Sequence, residues 1–341
     1  TINDFNPAEE LAVTNSRVDG LEARLNNFEA GGFSETTSAS FSVDALIGAV
    51  DGDTTTEATV FEYQYNIGLS TSFTGEDSLD VAIDSGSTSA ATGDNPLAFD
   101  TGASLSVDGV TYSFPVAGVS MVVGNDTDLS ASFTGACTYA AFTDHLSNCG
   151  TGNSLGVGGN GVTATGSYAF DSGLTFAAGL SSTADGTSAA NSYGLLTKEG
   201  SDSYGMELAY TGDSWGAAVA YVFDDNAASD ETTTWGINAN YTFDASNLPT
   251  LSVGYETEST GDVDKSGYFV GATWPEVGPG SVSVGAGSTA NFTDSEIEYV
   301  MYELSYSYPV NDGLTITPGV YIKETSGDDL TGVIVKSSFA F

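Results

Sequence analysis

At 341 residues the chain could form two ordinary domains or one large β structure, and 42 Gly, 18 Phe and 17 Tyr against only 8 Pro favour strands and turns over helices. Asp and Glu number 46 against 6 Lys and Arg, a formal net charge of -40 that excludes nucleic acid and anionic headgroups as natural partners. No segment approaches the ~20 continuous apolar residues of a membrane helix, which excludes helical spans and leaves membrane barrels open, because their signal is only alternation within segments of about ten residues.

The first predicted element differs from the rest. From Ala8 to Ala30, "AEELAVTNSRVDGLEARLNNFEA" sets Leu11, Val18 and Leu25 at heptad position a and Thr14, Leu21 and Phe28 at d, with Arg17 and Arg24 off the seam. A helix this short and polar is marginal alone, so it is expected to associate with copies of itself as a coiled coil or to dock on its own domain. Gly31 and Gly32 end it. The domain division is therefore 1–32 for the helix and 33–341 for a β body. Thr1 follows no initiator Met or signal peptide, which reads as a processed or truncated chain.

Alternation then takes over. In "FEYQYNIGL" (61–69) Phe61, Tyr63, Tyr65, Ile67 and Leu69 share one face while Glu62, Gln64, Asn66 and Gly68 share the other. Similar splits predict strands near 38–50, 58–73, 78–84, 102–114, 119–124, 161–170, 173–181, 202–211, 215–223, 232–243, 250–257, 266–274, 281–288, 298–308, 314–323 and 331–341. The parity breaks at Asp108 and Gly109. About sixteen strands is the even number expected of an antiparallel transmembrane barrel. Joins after even-numbered strands are mostly short ("PVAG", "DSG", "TGDS", "PVNDG"), and those after odd-numbered strands are longer, including 125–160, 182–201 and 258–265. That asymmetry separates a periplasmic rim from an external one and puts both chain ends on the periplasmic side. Trp215, Phe243, Trp274 and Tyr308 sit beside short turns, where aromatic belts occur. The chain ends on "TGVIVKSSFAF", whose Phe339 and Phe341 suit a barrel-closing strand.

Two stretches carry a resemblance. "RVDGLEARLNNFEA" followed by "FSETTSASF", and "SVDGVTYSFPVAGVSMVVG" at 106–124, resemble the cyanobacterial outer-membrane porins in which a peptidoglycan-binding SLH domain precedes the barrel, a family described as carbohydrate-selective or iron-uptake porins. The SLH domain is absent from this chain, so peptidoglycan contact would come only through a region not included here. The resemblance implies a homotrimer in outer-membrane lipid, recognition of the terminal aromatic by the assembly machinery, and a third external loop that narrows the pore.

Opposite parity to the apolar face assigns Asp44, Glu62, Asp80, Glu207, Glu303, Lys323 and Lys336 to the pore lining. A ring of carboxylates favours cations, so the expected function is passive, cation-preferring diffusion of small hydrophilic solutes and inorganic ions. The long 125–160 connection offers Asp126, Asp128, Asp144 and His145 as constriction-loop candidates, or caps the barrel from outside. Cys137 and Cys149 within it suit a loop disulfide in an oxidising compartment; a two-Cys metal site would need ligands that a single histidine does not supply. No catalytic constellation and no cofactor is expected, although "NDTD" and "DGDTTTE" could bind calcium loosely without EF-hand spacing. The rival reading is an acidic, β-rich structural or envelope-tethering protein without conductance.

Overall fold

The computed structural model describes residues 36–52, 59–87, 97, 99, 102–158, 161–182, 195–196, 200–225, 230–245, 247–289, 291–293 and 296–341. The heptad seam from Leu11 to Phe28 lies outside the described residues. The fold is all-β, a closed barrel of sixteen strands among the described residues, each antiparallel to its sequence neighbour. The first eight are β1 (Thr37–Asp51), β2 (Val60–Thr71), β3 (Ser78–Gly86), β4 (Ser106–Val116), β5 (Val119–Asn125), β6 (Val162–Ala169), β7 (Leu174–Ser182) and β8 (Asp202–Thr211). The second eight are β9 (Trp215–Asp225), β10 (Thr232–Thr242), β11 (Thr250–Thr260), β12 (Val263–Val277), β13 (Gly280–Ser288), β14 (Val300–Asn311), β15 (Leu314–Lys323) and β16 (Leu330–Ala340).

Closure follows from the last strand. β16 pairs β1 from Ser42 opposite Ala340 to Asp51 opposite Thr331, so no sheet edge is left with unpaired backbone groups, the condition for crossing hydrocarbon. The ladder runs one step further: Phe341 N–H donates to Phe41 O at 3.0 Å, Phe41 N–H donates back at 2.9 Å, and the two rings stack with centroids 6.2 Å apart. The terminal phenylalanine is thus held in the seam.

Because cross-strand partners share a face, register sorts side chains into wall and exterior. Phe61 is 68% exposed and Trp235 55%, whereas Glu62 next to Phe61 is 1% exposed. Exposed aromatics gather at the short-turn rim in pairs such as Tyr210–Trp215 (4.5 Å) and Tyr241–Phe243 (4.9 Å), the arrangement that suits an interfacial belt.

The structure departs from the alternation pattern in three places. Asp108 sits in a β-bulge where Ala82 and Ile83 oppose Gly109 and Val107, and one extra residue explains the parity break. The connection expected at 258–265 shrinks to Gly261 and Asp262, because polar pairs across β11 and β12, Glu258–Lys265 at 3.3 Å and Ser259–Asp264, carry the hairpin beyond the apolar band, and Thr260 also bonds Thr232 of β10 at 2.9 Å. Pro275 and Pro309 fall where the ladder shifts register, at the short-turn ends of β12 and β14.

The β2–β3 turn shows how a short rim turn is fixed. Asp77 Oδ1 accepts from Ser72 Oγ (2.9 Å), Phe73 N (2.9 Å), Thr74 N (2.8 Å) and Thr74 Oγ1 (2.8 Å), and Oδ2 accepts from Tyr112 Oη (2.7 Å). The Tyr112 hydroxyl first, then the Thr74 amide, hold this carboxyl far below the usual carboxylate range. A depressed carboxylate stabilises the fold above its unfolded pKa of about 3.9, and that contribution is lost as pH falls through the folded value. Asp77→Ala is therefore expected to melt lower than wild type at pH 7 in detergent, with the gap narrowing from about pH 4 downward; a gap independent of pH would show that the charge is irrelevant.

Candidate functional site: the lumen and its loop

The β5–β6 connection, described over residues 126–158 and at 161, enters the barrel and packs on the inner wall. It contains a 3-10 turn at Asp144–Gly150 and a single helical turn, α1, at Gly152–Leu155. Backbone brought inside a barrel must find hydrogen-bond partners, and the wall supplies them as carboxylates and amides. Glu207 of β8 accepts from Thr134 N (2.7 Å) and Gly135 N (2.6 Å). Asn238 of β10 accepts from Ala136 N (2.7 Å) and donates to Thr151 Oγ1 (3.1 Å). Glu256 of β11 accepts from Ser154 Oγ (2.7 Å) and Asn291 Nδ2 (3.0 Å).

Glu303 of β14 takes the largest share. Its Oε1 accepts from Tyr139 Oη (2.8 Å) and Phe142 N (2.8 Å), and its Oε2 from Thr143 N (2.9 Å) and Thr143 Oγ1 (2.6 Å). Burial, and after it the Glu303 charge, pushes the Tyr139 phenol up, so it stays a donor. Around these bonds lies an apolar cluster inside the lumen: Tyr139, Phe142, Leu146 and Cys149 from the loop against Leu46, Phe269, Met301, Tyr321 and Ile334 from the wall.

Wall glycines make the seats. A Cβ at Gly319 would lie 2.5 Å from the Phe142 ring, one at Gly285 2.5 Å from Tyr139 Oη, and one at Gly254 1.9 Å from the Cys149 carbonyl oxygen. Any side chain there would lift the loop from its partners. Cys137 and Cys149 are bonded to each other, with Cα atoms 5.7 Å apart, closing the segment that carries Tyr139, Phe142 and Thr143 into a ring.

The residues expected to line the pore separate into two groups. Asp44, Asp80 and Lys336 face inward and remain half-buried beside Gln64 and Asn66, a polar stretch of wall across β16 and β1–β3. Asp44 accepts from Ser338 Oγ, and Asp80 from Ser78 Oγ at 2.9 Å. Glu62, Glu207 and Glu303 also face inward but are almost wholly covered, at 1%, 1% and 3% exposure. Glu207 and Glu303 hold the loop rather than meeting free lumen water. Lys323 contacts His145 Nε2 at 2.9 Å. Among the loop candidates, Asp126 adopts φ 50° and accepts from Asn125 Nδ2 (2.9 Å), burial pushes the Asp128 carboxyl up, and Asp144 stays exposed. Glu256 and Asn238 were not singled out by sequence, although the parity of "LSVGYETE" and "WGINANYTF" places both on the inward face.

Among the described residues no group of three or more His, Cys, Asp or Glu is arranged to hold a metal ion.

A family model described as Gram-negative porin matches residues 118–329. The fold is similar to the high-pH structure of Pseudomonas putida OprB, with TM-score 0.72 and 11% identity over 92% of this chain and 97% of that one. It is also similar to an anion-selective porin from Comamonas acidovorans (TM-score 0.61, 14% identity, 90% and 99% coverage) and to a mutant of the Rh. blastica porin (0.58, 14%, 89% and 100%). A segment of 81 residues is 43% identical to an uncharacterized protein of Nostoc sp.; it makes up 23% of this chain and only 14% of that relative's length. With its closed barrel, its belt of exposed aromatics and a long loop folded into the lumen, the chain belongs to the Gram-negative porin family, and it is an outer-membrane channel, not an enzyme.

Proposed function

We propose that this channel passes small hydrophilic solutes and inorganic ions by diffusion and prefers cations. The observation that supports this most is the division of the inner wall: the wall carboxylates and amide that hold the loop, Glu207, Asn238, Glu256 and Glu303, lie on β8 to β14, while Asp44 and Asp80 on β1 and β3 stay half-buried among amides and hydroxyls and bind no loop group. Lys336 is the accessible cation on that stretch. The neighbour from Comamonas acidovorans described as anion-selective shares the architecture, so the sign of selectivity follows the wall charges and not the barrel.

The short-turn rim is read as periplasmic, which puts residues 1–32 on that side, and the heptad seam as the contact that joins three copies, as in the SLH-linked porins that the sequence resembles. Chemical crosslinking of intact cells tests the trimer; a dominant monomer would sink it.

Selectivity is tested by reversal potential in a planar bilayer under a salt gradient. Wild type is expected to reverse toward the cation potential. A unit charge 4 Å from an ion in water contributes about 1 kcal/mol, so Asp44→Asn with Asp80→Asn should lower the cation-to-anion permeability ratio several-fold. An anion-directed reversal, or a ratio unmoved by the double substitution, would overturn the assignment.

A further inference from the structure

At the margin of the inserted loop two opposite charges stand near each other on the inner wall without pairing. Ser338 of β16 lies opposite Asp44 of β1 and Lys336 lies opposite Leu46, so Lys336 and Asp44 are diagonal neighbours on one face, a placement that sets their Cβ atoms about 7–8 Å apart. Among the described residues the only ion pair joins Lys265 to Glu258, and the Lys336 ammonium neither pairs with a carboxylate nor donates a hydrogen bond.

The neighbours on each side explain why the two charges stay apart. The Ser338 hydroxyl donates to Asp44 Oδ1 and keeps the carboxylate on its own row, away from Lys336. Gln64, opposite Asp44 on β2, donates to Asn66 Oδ1 at 3.2 Å and not to Asp44, so Asp44 Oδ2 has no partner in the wall. Beside Lys336, Leu46 and Ile334 are each 1% exposed in the apolar cluster with Phe142 and Leu146, and offer an ammonium nothing. Lys336 is the next inward residue past Ile334, at the point where that cluster ends and the polar stretch begins. A solute that clears the loop edge on this side meets both charges together.

An anion here is drawn to Lys336 and repelled by Asp44, and a cation the reverse; a solute that carries both signs satisfies both. We propose that Lys336 and Asp44 form a binding subsite for small zwitterions of the α-amino acid type, the solute carboxylate bonding to Lys336 and its ammonium to Asp44. Charge-assisted bonds of about 2.8 Å at each end and an ammonium–carboxylate separation of about 3 Å, set by the N–Cα and Cα–C bonds, bridge roughly the diagonal distance, and the flexible four-carbon lysine stem takes up the remainder. With no net charge, such a solute is not held back by the acidic wall. The subsite depends on the same reading of the β16 to β3 stretch as the open side of the lumen that underlies cation preference.

The test compares L-alanine with lactamide, which has a similar shape and no charge, on the folded full chain in a planar bilayer. In about 0.1 M KCl, where the screening length is near 10 Å, L-alanine is expected to lower the wild-type K⁺ current saturably and lactamide is not. Lys336→Met and Asp44→Asn should each raise the half-saturating alanine concentration about tenfold, the size of one lost charge-assisted bond, while Lys336→Arg should stay within about twofold of wild type because it keeps the donor and the charge. Asp80→Asn, two strands from Asp44, should lower the cation preference and leave the alanine effect in place. Reversal potentials with alaninamide and lactate, the cationic and anionic counterparts, read cation preference separately. A channel that favours alaninamide over lactate yet shows no alanine effect would lose the subsite and keep the cation preference; an alanine effect without that preference would do the opposite. An effect equal for lactamide, or undiminished in Lys336→Met, would overturn the subsite.

Discussion

Glu303→Ala is expected to pass several times the single-channel current of wild type while the barrel still melts as a unit. The carboxylate receives two backbone N–H groups, a phenol and a hydroxyl from residues 139–143. Each buried donor left without an acceptor costs about 1–3 kcal/mol. The loop has an alternative that a core segment lacks: it can lift and bond to lumen water, so the loss appears as movement of the loop more than as unfolding. The β14 ladder to β13 and β15 uses other groups and stays intact. Glu303→Gln keeps one acceptor oxygen but turns an amide NH₂ toward two of the donors, so its current should fall between those of alanine and wild type. Glu207→Ala removes acceptors for two N–H groups only and should have the smaller effect. Bilayer recordings of the three variants check the order; wild-type current from Glu303→Ala would show that the apolar cluster alone holds the loop.

Alternation revealed the barrel because each strand meets two different solvents. Phe61, Tyr63 and Tyr65 against Glu62, Gln64 and Asn66 is a readable pattern whatever the partner strand. Strand ends were less legible: Thr232, Glu258, Thr260 and Lys265 are polar enough to look like a loop, yet they pair across β10, β11 and β12 clear of the apolar band. Parity also put Glu207 and Glu303 on the inward face, but it could not tell an acid facing water from an acid facing an amide, because that depends on where a segment 60 to 170 residues away comes to rest. Phe142 and Leu146 show the same limit. In sequence they are isolated apolar residues in a loop, and their partners Met301, Tyr321 and Ile334 are inward exceptions on strands whose inner faces should be polar. Read together, such exceptions and the inward glycines at 254, 285 and 319 mark the docking side of the wall.

The disulfide acts on the same loop by a different route. Cys137 and Cys149 close a ring whose interior residues include every Glu303 donor, and Cys149 is wholly buried against Leu146 and Phe269. Closing a ring of roughly this size removes conformational freedom from the detached loop worth about 3 kcal/mol, and 1.4 kcal/mol is a factor of ten. Cys137→Ser with Cys149→Ser is therefore expected to raise the fraction of time the loop spends lifted by up to about a hundredfold. In recordings this would appear as brief excursions to a larger conductance on an unchanged main level, because the Glu303 bonds still favour the docked state. Adding Glu303→Ala to the pair should remove that preference and make the larger level predominate. Traces from the double serine variant that match wild type in level and noise would mean that the wall contacts fix the loop without help from the staple.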